Sequence, residues 1–318
     1  MPLQHKMMCD SNTFDVVIIG GGPSSLSASI YIAAAGYKVA YIEKNVPGGK
    51  LVNIVHNITN YPGFKSISGP DLALQMYEQA QQSGAISLFG EVSQIDQYLN
   101  YHVVYTTDGA TRYAKALIIA TGMNENKLIA KDADKYENKG ISYCAMCDGS
   151  LAKDRDVIVF GNGDSALDNA IYLSKICKHI YLIVKYDKLN LQHSDMNVLK
   201  QANNIEIIYN STIDTVLGDG NKVTGAIIKD VNTNEQKKIN CSCIFNFTGL
   251  NPATDFIKNT KLLDDKHFII HNQKMETSIP GIYAIGDVCN NQFKQIPTAV
   301  NDGSVAGLNI IQYLKSWK

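Results

Sequence analysis

The chain has 318 residues, of which 45% are hydrophobic and 19% charged, and its formal net charge is −1. That length predicts two domains, with apolar material enough for two cores. So small a charge excludes global steering toward nucleic acid or an anionic membrane, and no apolar run reaches the roughly 18 residues of a membrane span. The polar start, MPLQHKMMCDSNTFD, lacks the apolar stretch of a signal peptide. Seven cysteines is an odd number, and most sit in apolar runs. That is not the framework of a secreted, disulfide-stapled domain, so a cytoplasmic location is expected.

Taken in chain order, FDVVIIGGGPSSLSASIYIAAAGYKVAYIEK predicts a strand (Asp15–Ile19), a glycine turn, a helix (about Ser24–Ala35) and a second strand (Lys38–Ile42). Short apolar runs of this kind fit strands buried on both faces. The turn reads G-x-G-x-x-S over Gly20 to Ser25. Gly20 permits the tight turn and Gly22 lets a pyrophosphate approach the backbone. Pro23 and Ser24 open the helix whose N–H groups face that pyrophosphate, and Ser25 is small enough for close packing. Glu43, at the end of the second strand, is placed to hold ribose hydroxyls.

Further on, KALIIATG (Lys115–Gly122) and CIFNFTG (Cys243–Gly249) each read as a buried strand ending in Thr-Gly. The pair predicts two crossings between domains. Residues 123–249 are then an insertion within a discontinuous domain made of 1–122 and 250–318. Between the crossings, SYCAMCDGS carries Cys144 and Cys147 with Asp148 next to them. Two thiols at this spacing close a small ring reversibly, and the first is expected to be the exposed, attacking one. The adjoining carboxyl can carry the proton that disulfide reduction requires. A zinc site would need a second Cys or His pair at suitable spacing, and none is evident, so no metal is expected.

From Asp156 to Lys185 the strand–turn–helix–strand design repeats. Gly161-Asn162-Gly163-Asp164-Ser165-Ala166 keeps the G-x-G-x-x-A form that cradles a dinucleotide, with Asp164 close to any pyrophosphate. Cys9, Cys177, Cys241, Cys243 and Cys289 read as small buried hydrophobes, with Cys241 and Cys243 alternating along one strand. His179 and His193 stand isolated.

Together these residues resemble the low-molecular-weight thioredoxin reductase family over nearly the whole chain. GGGPSS resembles its N-terminal FAD fingerprint, and Gly48-Gly49-Lys50-Leu51 its G-G-Q-L flavin segment, with Lys in place of Gln. Asn60-Tyr61-Pro62-Gly63 resembles its flavin-facing loop, and Cys144 to Gly149 its C-A-x-C-D-G. Gly286-Asp287 falls in its second FAD signature, and Lys294-Gln295-Ile296 sits where R-Q-A meets the flavin. The resemblance implies an α/β fold of two Rossmann-like dinucleotide-binding domains (three-layer ββα sandwiches), the second inserted in the first. It further implies an FAD site that includes Lys44 and Val92, and a homodimer. Cys147 would take electrons from the flavin, Cys144 would attack the partner disulfide, and Asp148 would move the proton. The inserted domain would have to rotate, because the dithiol cannot face flavin and partner at once.

The departure lies at the electron donor. NADPH-using members carry H-R-R and a further Arg to grip the 2′-phosphate, where this chain has Val184-Lys185-Tyr186-Asp187-Lys188-Leu189-Asn190. A lysine offers only a point charge where planar, bidentate arginines hold a phosphate. The donor is therefore open among NADPH held through Lys185, NADH, and a non-pyridine donor such as reduced ferredoxin. The expected partner is thioredoxin or a thioredoxin-like protein. A reductase of a glutaredoxin-like or peroxidase-coupled protein, and a slow flavin redox module, are the alternatives.

Overall fold

A computed structural model describes residues 10–54, 57–192, 194, 196, 199 and 202–317. Cys9 and His193 lie outside the described residues. The first part of the chain runs β1 (Thr13–Ile19), α1 (Pro23–Ala34), β2 (Val39–Glu43), α2 (Gly69–Gln82), β3 (Ile86–Phe89), β4 (Val92–Tyr98), β5 (Tyr101–Thr106), β6 (Thr111–Ile119) and β7 (Met123–Glu125). There follow β8 (Ile141–Ser142), α3 (Ala145–Asp148), β9 (Asp156–Gly161), α4 (Asp164–Ser174), β10 (His179–Ile183), β11 (Ile205–Ile208), β12 (Ser211–Gly218), β13 (Val223–Asp230), β14 (Gln236–Asn240) and β15 (Cys243–Phe247). The chain ends with β16 (Leu250–Pro252), β17 (Ile282–Ala284) and α5 (Ile296–Ser316).

These elements form two compact units. One takes the described residues up to Val52, Asn57–Asn124 and those from Asn251 on; the other takes Glu125–Leu250 with a short segment beginning at Asn53. In the first unit the sheet order is β3-β2-β1-β6-β5-β4, with β17 also paired to β6. Strands β1, β2, β3, β6 and β17 pair in parallel, while β4 and β5 join antiparallel. Alternation divides the faces: Val17, Ile19, Leu117 and Ile119 enter one apolar cluster, together with Ile257, Leu262 and Ile269. On α1, helix packing explains the run of small side chains. Ser27 Oγ donates to Val300 O of α5 at 2.8 Å, and a Cβ on Gly303 would collide with the Ser24 carbonyl.

The second unit has three layers. Its five-stranded sheet, β11-β10-β9-β15-β8, is parallel throughout, and β12, β13 and β14 form an antiparallel sheet. Along β9, Val157 and Val159 pack with Ala166, Leu167 and Ala170 of α4, while Ile158 and Phe160 pack with Ile213, Ala226 and Ile239 of the antiparallel sheet. A period of two thus places a helix on one face of the sheet and a second sheet on the other. The α/β class and the Rossmann-like parallel sheets agree with the expectation.

One detail differs. Cys241 and Cys243 do not alternate along one strand, because Cys241 lies in the link between β14 and β15, and Cys243 opens β15. Cys241 N donates to Thr224 O at 3.2 Å and Ser242 N to Asp156 O at 2.9 Å, so consecutive residues are drawn to different sheets. Cys177, Cys241 and Cys289 are buried and Cys243 is half-buried. No helix among the described residues is long and apolar enough to cross a membrane.

Candidate active site

The first glycine turn follows β1 directly. Gly20 N donates to Ile42 O at 2.8 Å, and Gly20 has φ +104° with the Ala120 carbonyl where a Cβ would go, so only glycine suits this position. At Gly22 the space a Cβ would take is open, and α1 begins at Pro23 with no side chain capping its first N–H groups. Glu43 closes β2. Its Oε2 accepts from Gly21 N and its Oε1 from Asn45 N, both at 2.8 Å. A carboxylate has about four lone-pair sites, so these bonds fix its aim and leave capacity for hydroxyls. A cavity of about 150 Å³ joins Gly20, Glu43, Lys44 and Val92, four of the expected cofactor contacts, with Gly90, Thr121 and Asp255 also in its wall. Lys44 reaches Glu91 at 3.1 Å across the rim.

The other expected flavin segments stand within the same unit. Gly48 N donates to Gly21 O at 2.8 Å, which ties the Gly48-Gly49-Lys50-Leu51 segment to the first turn. Asn60 Nδ2 donates to Gln295 Oε1 at 3.3 Å, so two expected contacts from distant parts of the chain touch. Ile296 follows Gln295 as the first residue of α5. A Cβ on Gly286 would meet Ser24 Oγ at 2.7 Å, which places the second FAD signature beside α1. Burial raises the Asp287 carboxyl, against the pull of Lys294 and Lys50. Lys294 does something sequence reasoning missed: its ammonium donates to Asp287 O and Cys289 O, both at 2.8 Å, and lies over the Phe268 ring. It braces the backbone that presents Asp287, and only tertiary structure discloses that. The open turn, the Glu43 carboxylate beside it and the cavity together fit FAD.

In the second unit Cys144 and Cys147 are joined by a disulfide. Cys144 caps the single turn of α3, its sulfur accepting from Cys147 N at 3.0 Å. Exposure is the reverse of that expected, with Cys147 exposed and Cys144 half-buried. Cys144 stands two residues past the end of β8, and Cys147 is the third residue of α3. Asp148 Oδ2 accepts from Ser142 Oγ at 2.7 Å. Among the described residues no cluster of three metal-ligating side chains occurs. His179 stands 3.6 Å from Glu206 and stacks edge-on with Tyr181.

The second glycine turn keeps its shape. A Cβ on Gly161 would meet the Phe247 carbonyl at 2.6 Å, and Gly163 precedes α4 in extended backbone. Ser165 and Ala166 follow in the first turn of α4, Ala166 fully buried. Asp164 is turned to its own chain, accepting from Gln192 N and Ser194 N. After β10, Val184 is buried, while Lys185, Tyr186, Asp187 and Lys188 are all exposed. The turn fits a dinucleotide, and the only cations in the stretch after β10 (184–190) are the exposed Lys185 and Lys188.

A redox disulfide with an adjoining acid, in a chain built from two dinucleotide folds, defines a disulfide oxidoreductase. Residues 14–303 match the model of the pyridine nucleotide-disulphide oxidoreductases. A thioredoxin reductase of Listeria monocytogenes is 36% identical over 312 residues, covering 98% of this chain and 97% of that one. The solved thioredoxin reductase of T. acidophilum is 36% identical with a TM-score of 0.86, covering 96% of this chain and 100% of that one. A ferredoxin-flavin thioredoxin reductase of Clostridium acetobutylicum is 28% identical with a TM-score of 0.52, covering 96% and 99%. The chain belongs to the pyridine nucleotide-disulphide oxidoreductases and, among them, to the low-molecular-weight thioredoxin reductases. It is a flavoprotein oxidoreductase with a disulfide redox centre.

Proposed function

We propose that the chain reduces the disulfide of thioredoxin, or of a thioredoxin-like protein, in the cytoplasm and as a homodimer. The observation that carries this reading is the Cys144–Cys147 disulfide with Asp148 beside it, in a chain matched over nearly its whole length by thioredoxin reductases. FAD, when bound, supplies the electron pair that opens that disulfide. Glu43 would hold its ribose, the α1 N-terminus its pyrophosphate, and Asp287 its ribityl chain, with Asn60, Lys50 and Gln295 at the flavin. Once reduced, Cys144 attacks the partner disulfide as a thiolate, and Cys147 resolves the mixed disulfide. Asp148 carries the proton between sulfurs.

For the donor, the reading is that a 2′-phosphate contributes little, so NADPH and NADH serve about equally. Buried Val184 and exposed Lys185 support it, because neither supplies a bidentate phosphate contact. Anaerobic titration of the flavin tests this directly. Similar bleaching by both nucleotides is expected, and a preference for NADPH of tenfold or more would reinstate a Lys185 grip. Bleaching by reduced ferredoxin alone would show that the second unit no longer serves a nucleotide. Thioredoxin should then be reduced in step with the flavin. If only a glutaredoxin-like or peroxidase-coupled protein is reduced, the partner assignment fails.

A further inference from the structure

We propose that Ser142 is a positioning residue of the thiol–disulfide exchange, aiming the Asp148 carboxylate at the dithiol. The proposal rests on Asp148 being the proton carrier. Ser142 ends β8 and is only 6% exposed. Its backbone is in register with Phe245 of β15, so its hydroxyl projects from a sheet and not from a loop. That hydroxyl is a junction. It accepts from Cys144 N at 3.1 Å, lies 2.7 Å from Asp148 Oδ2 and 3.3 Å from Cys144 O. A hydroxyl has one hydrogen to give, and the shorter, charge-assisted bond to the carboxylate takes it.

The exchange explains why such a junction is needed. Cys144 gives its proton to Asp148 and attacks one partner sulfur, breaking the partner disulfide. The departing sulfur takes that proton from Asp148. Cys147 then passes its proton through Asp148 to the second partner sulfur as it attacks Cys144 Sγ. Two electrons and two protons leave the dithiol, and the Cys144–Cys147 disulfide re-forms. Asp148 must therefore serve two sulfurs in succession from one fixed place. It ends a helix of four residues, which is too short to hold a side chain by its own cooperativity. Ser142 supplies the missing constraint by occupying Oδ2, leaving Oδ1 for the proton. It links the acid to the backbone of the very cysteine it serves.

The test mixes dithionite-reduced holoenzyme with oxidised thioredoxin and follows a single turnover, so the donor does not enter. S142A should slow the exchange about tenfold, the worth of one hydrogen bond to a charged group, while KM for thioredoxin stays unchanged. D148N should slow it about 100-fold or more. The double variant S142A/D148N should be no slower than D148N, because Ser142 acts only through the acid. The pair S142T and S142V controls for packing, since both have nearly the same shape and only Thr keeps the hydroxyl. Thr should restore most of the rate and Val should not. An S142A rate equal to the parent, equal losses in S142T and S142V, or a further tenfold loss on D148N would each overturn the proposal. A D148N rate equal to the parent would instead sink the assignment of Asp148 on which it rests.

Discussion

The two glycine turns invite comparison because the strands around them pair in the same register. In the first unit Ile19 pairs with Ile42 across β1 and β2; in the second Phe160 pairs with Ile183 across β9 and β10. Gly20 and Gly161 follow the first member of each pair at the same step. One residue beyond the second member, the chain has Glu43 in one unit and Val184 in the other. Glu43 keeps a carboxylate on the turn, bonded to Gly21 N. Val184 is buried and has no polar side-chain atom at all. Backbone geometry has been kept twice, whereas a carboxylate closes the second strand in one unit only. A glycine pattern therefore reports a fold, and the residue closing the second strand reports the ligand.

The largest effect expected from breaking this division lies in the second unit. C144S should abolish thioredoxin reduction, because a lone Cys147 thiol cannot both attack the partner and resolve the mixed disulfide. If the first unit holds the flavin as proposed, the flavin should remain bound and reducible. Steady-state turnover and flavin absorbance measured on one sample decide the matter. Loss of both would mean that Cys144 also serves the flavin side.

A smaller effect is expected where the first turn reads its ligand. E43A removes the acceptor for Gly21 N and the ribose-facing carboxylate together. Losing a hydrogen bond to a charged group costs about 1.5–3 kcal/mol, so FAD should bind roughly 10- to 100-fold more weakly. Flavin fluorescence on reconstitution of the apoprotein gives the number, and an unchanged affinity would place the ribose elsewhere.

How much of this was legible beforehand follows from what each feature depends on. The four-to-six-residue apolar runs and the G-x-G turns are local, and β1, α1 and β2 lie within a residue or two of expectation, while β9, α4 and β10 fall inside the expected repeat of residues 156–185. The stretch holding β12, β13 and β14 carried no expectation, since its strands mix buried and exposed residues without a clean period. Within the sites, the Cys144/Cys147/Asp148 grouping is contiguous and plain. Ser142 and Lys294 are not, because their roles depend on bonds to a carboxylate and to carbonyls that only folding brings near. A serine two residues before the first cysteine was a signal in reach, but spacing alone gives it no role.

The smallest effect sharpens the comparison most. Lys185 follows Val184 as Lys44 follows Glu43, yet Lys44 has Glu91 at 3.1 Å, and Lys185 is exposed on the surface. An exposed lysine facing a phosphate in water is worth little, about 1 kcal/mol or less by analogy with surface ion pairs. If the second unit takes a nucleotide without reading its 2′-phosphate, K185A should change the ratio of NADPH to NADH efficiency by less than about fivefold. The measurement is the rate of anaerobic flavin reduction by each nucleotide at low salt, where a point charge counts most. A tenfold or greater fall specific to NADPH would mean that Lys185 had taken over the work of the missing arginines. The second turn would then be a working phosphate site with altered chemistry, and Val184 would mark a change of grip, not the loss of one.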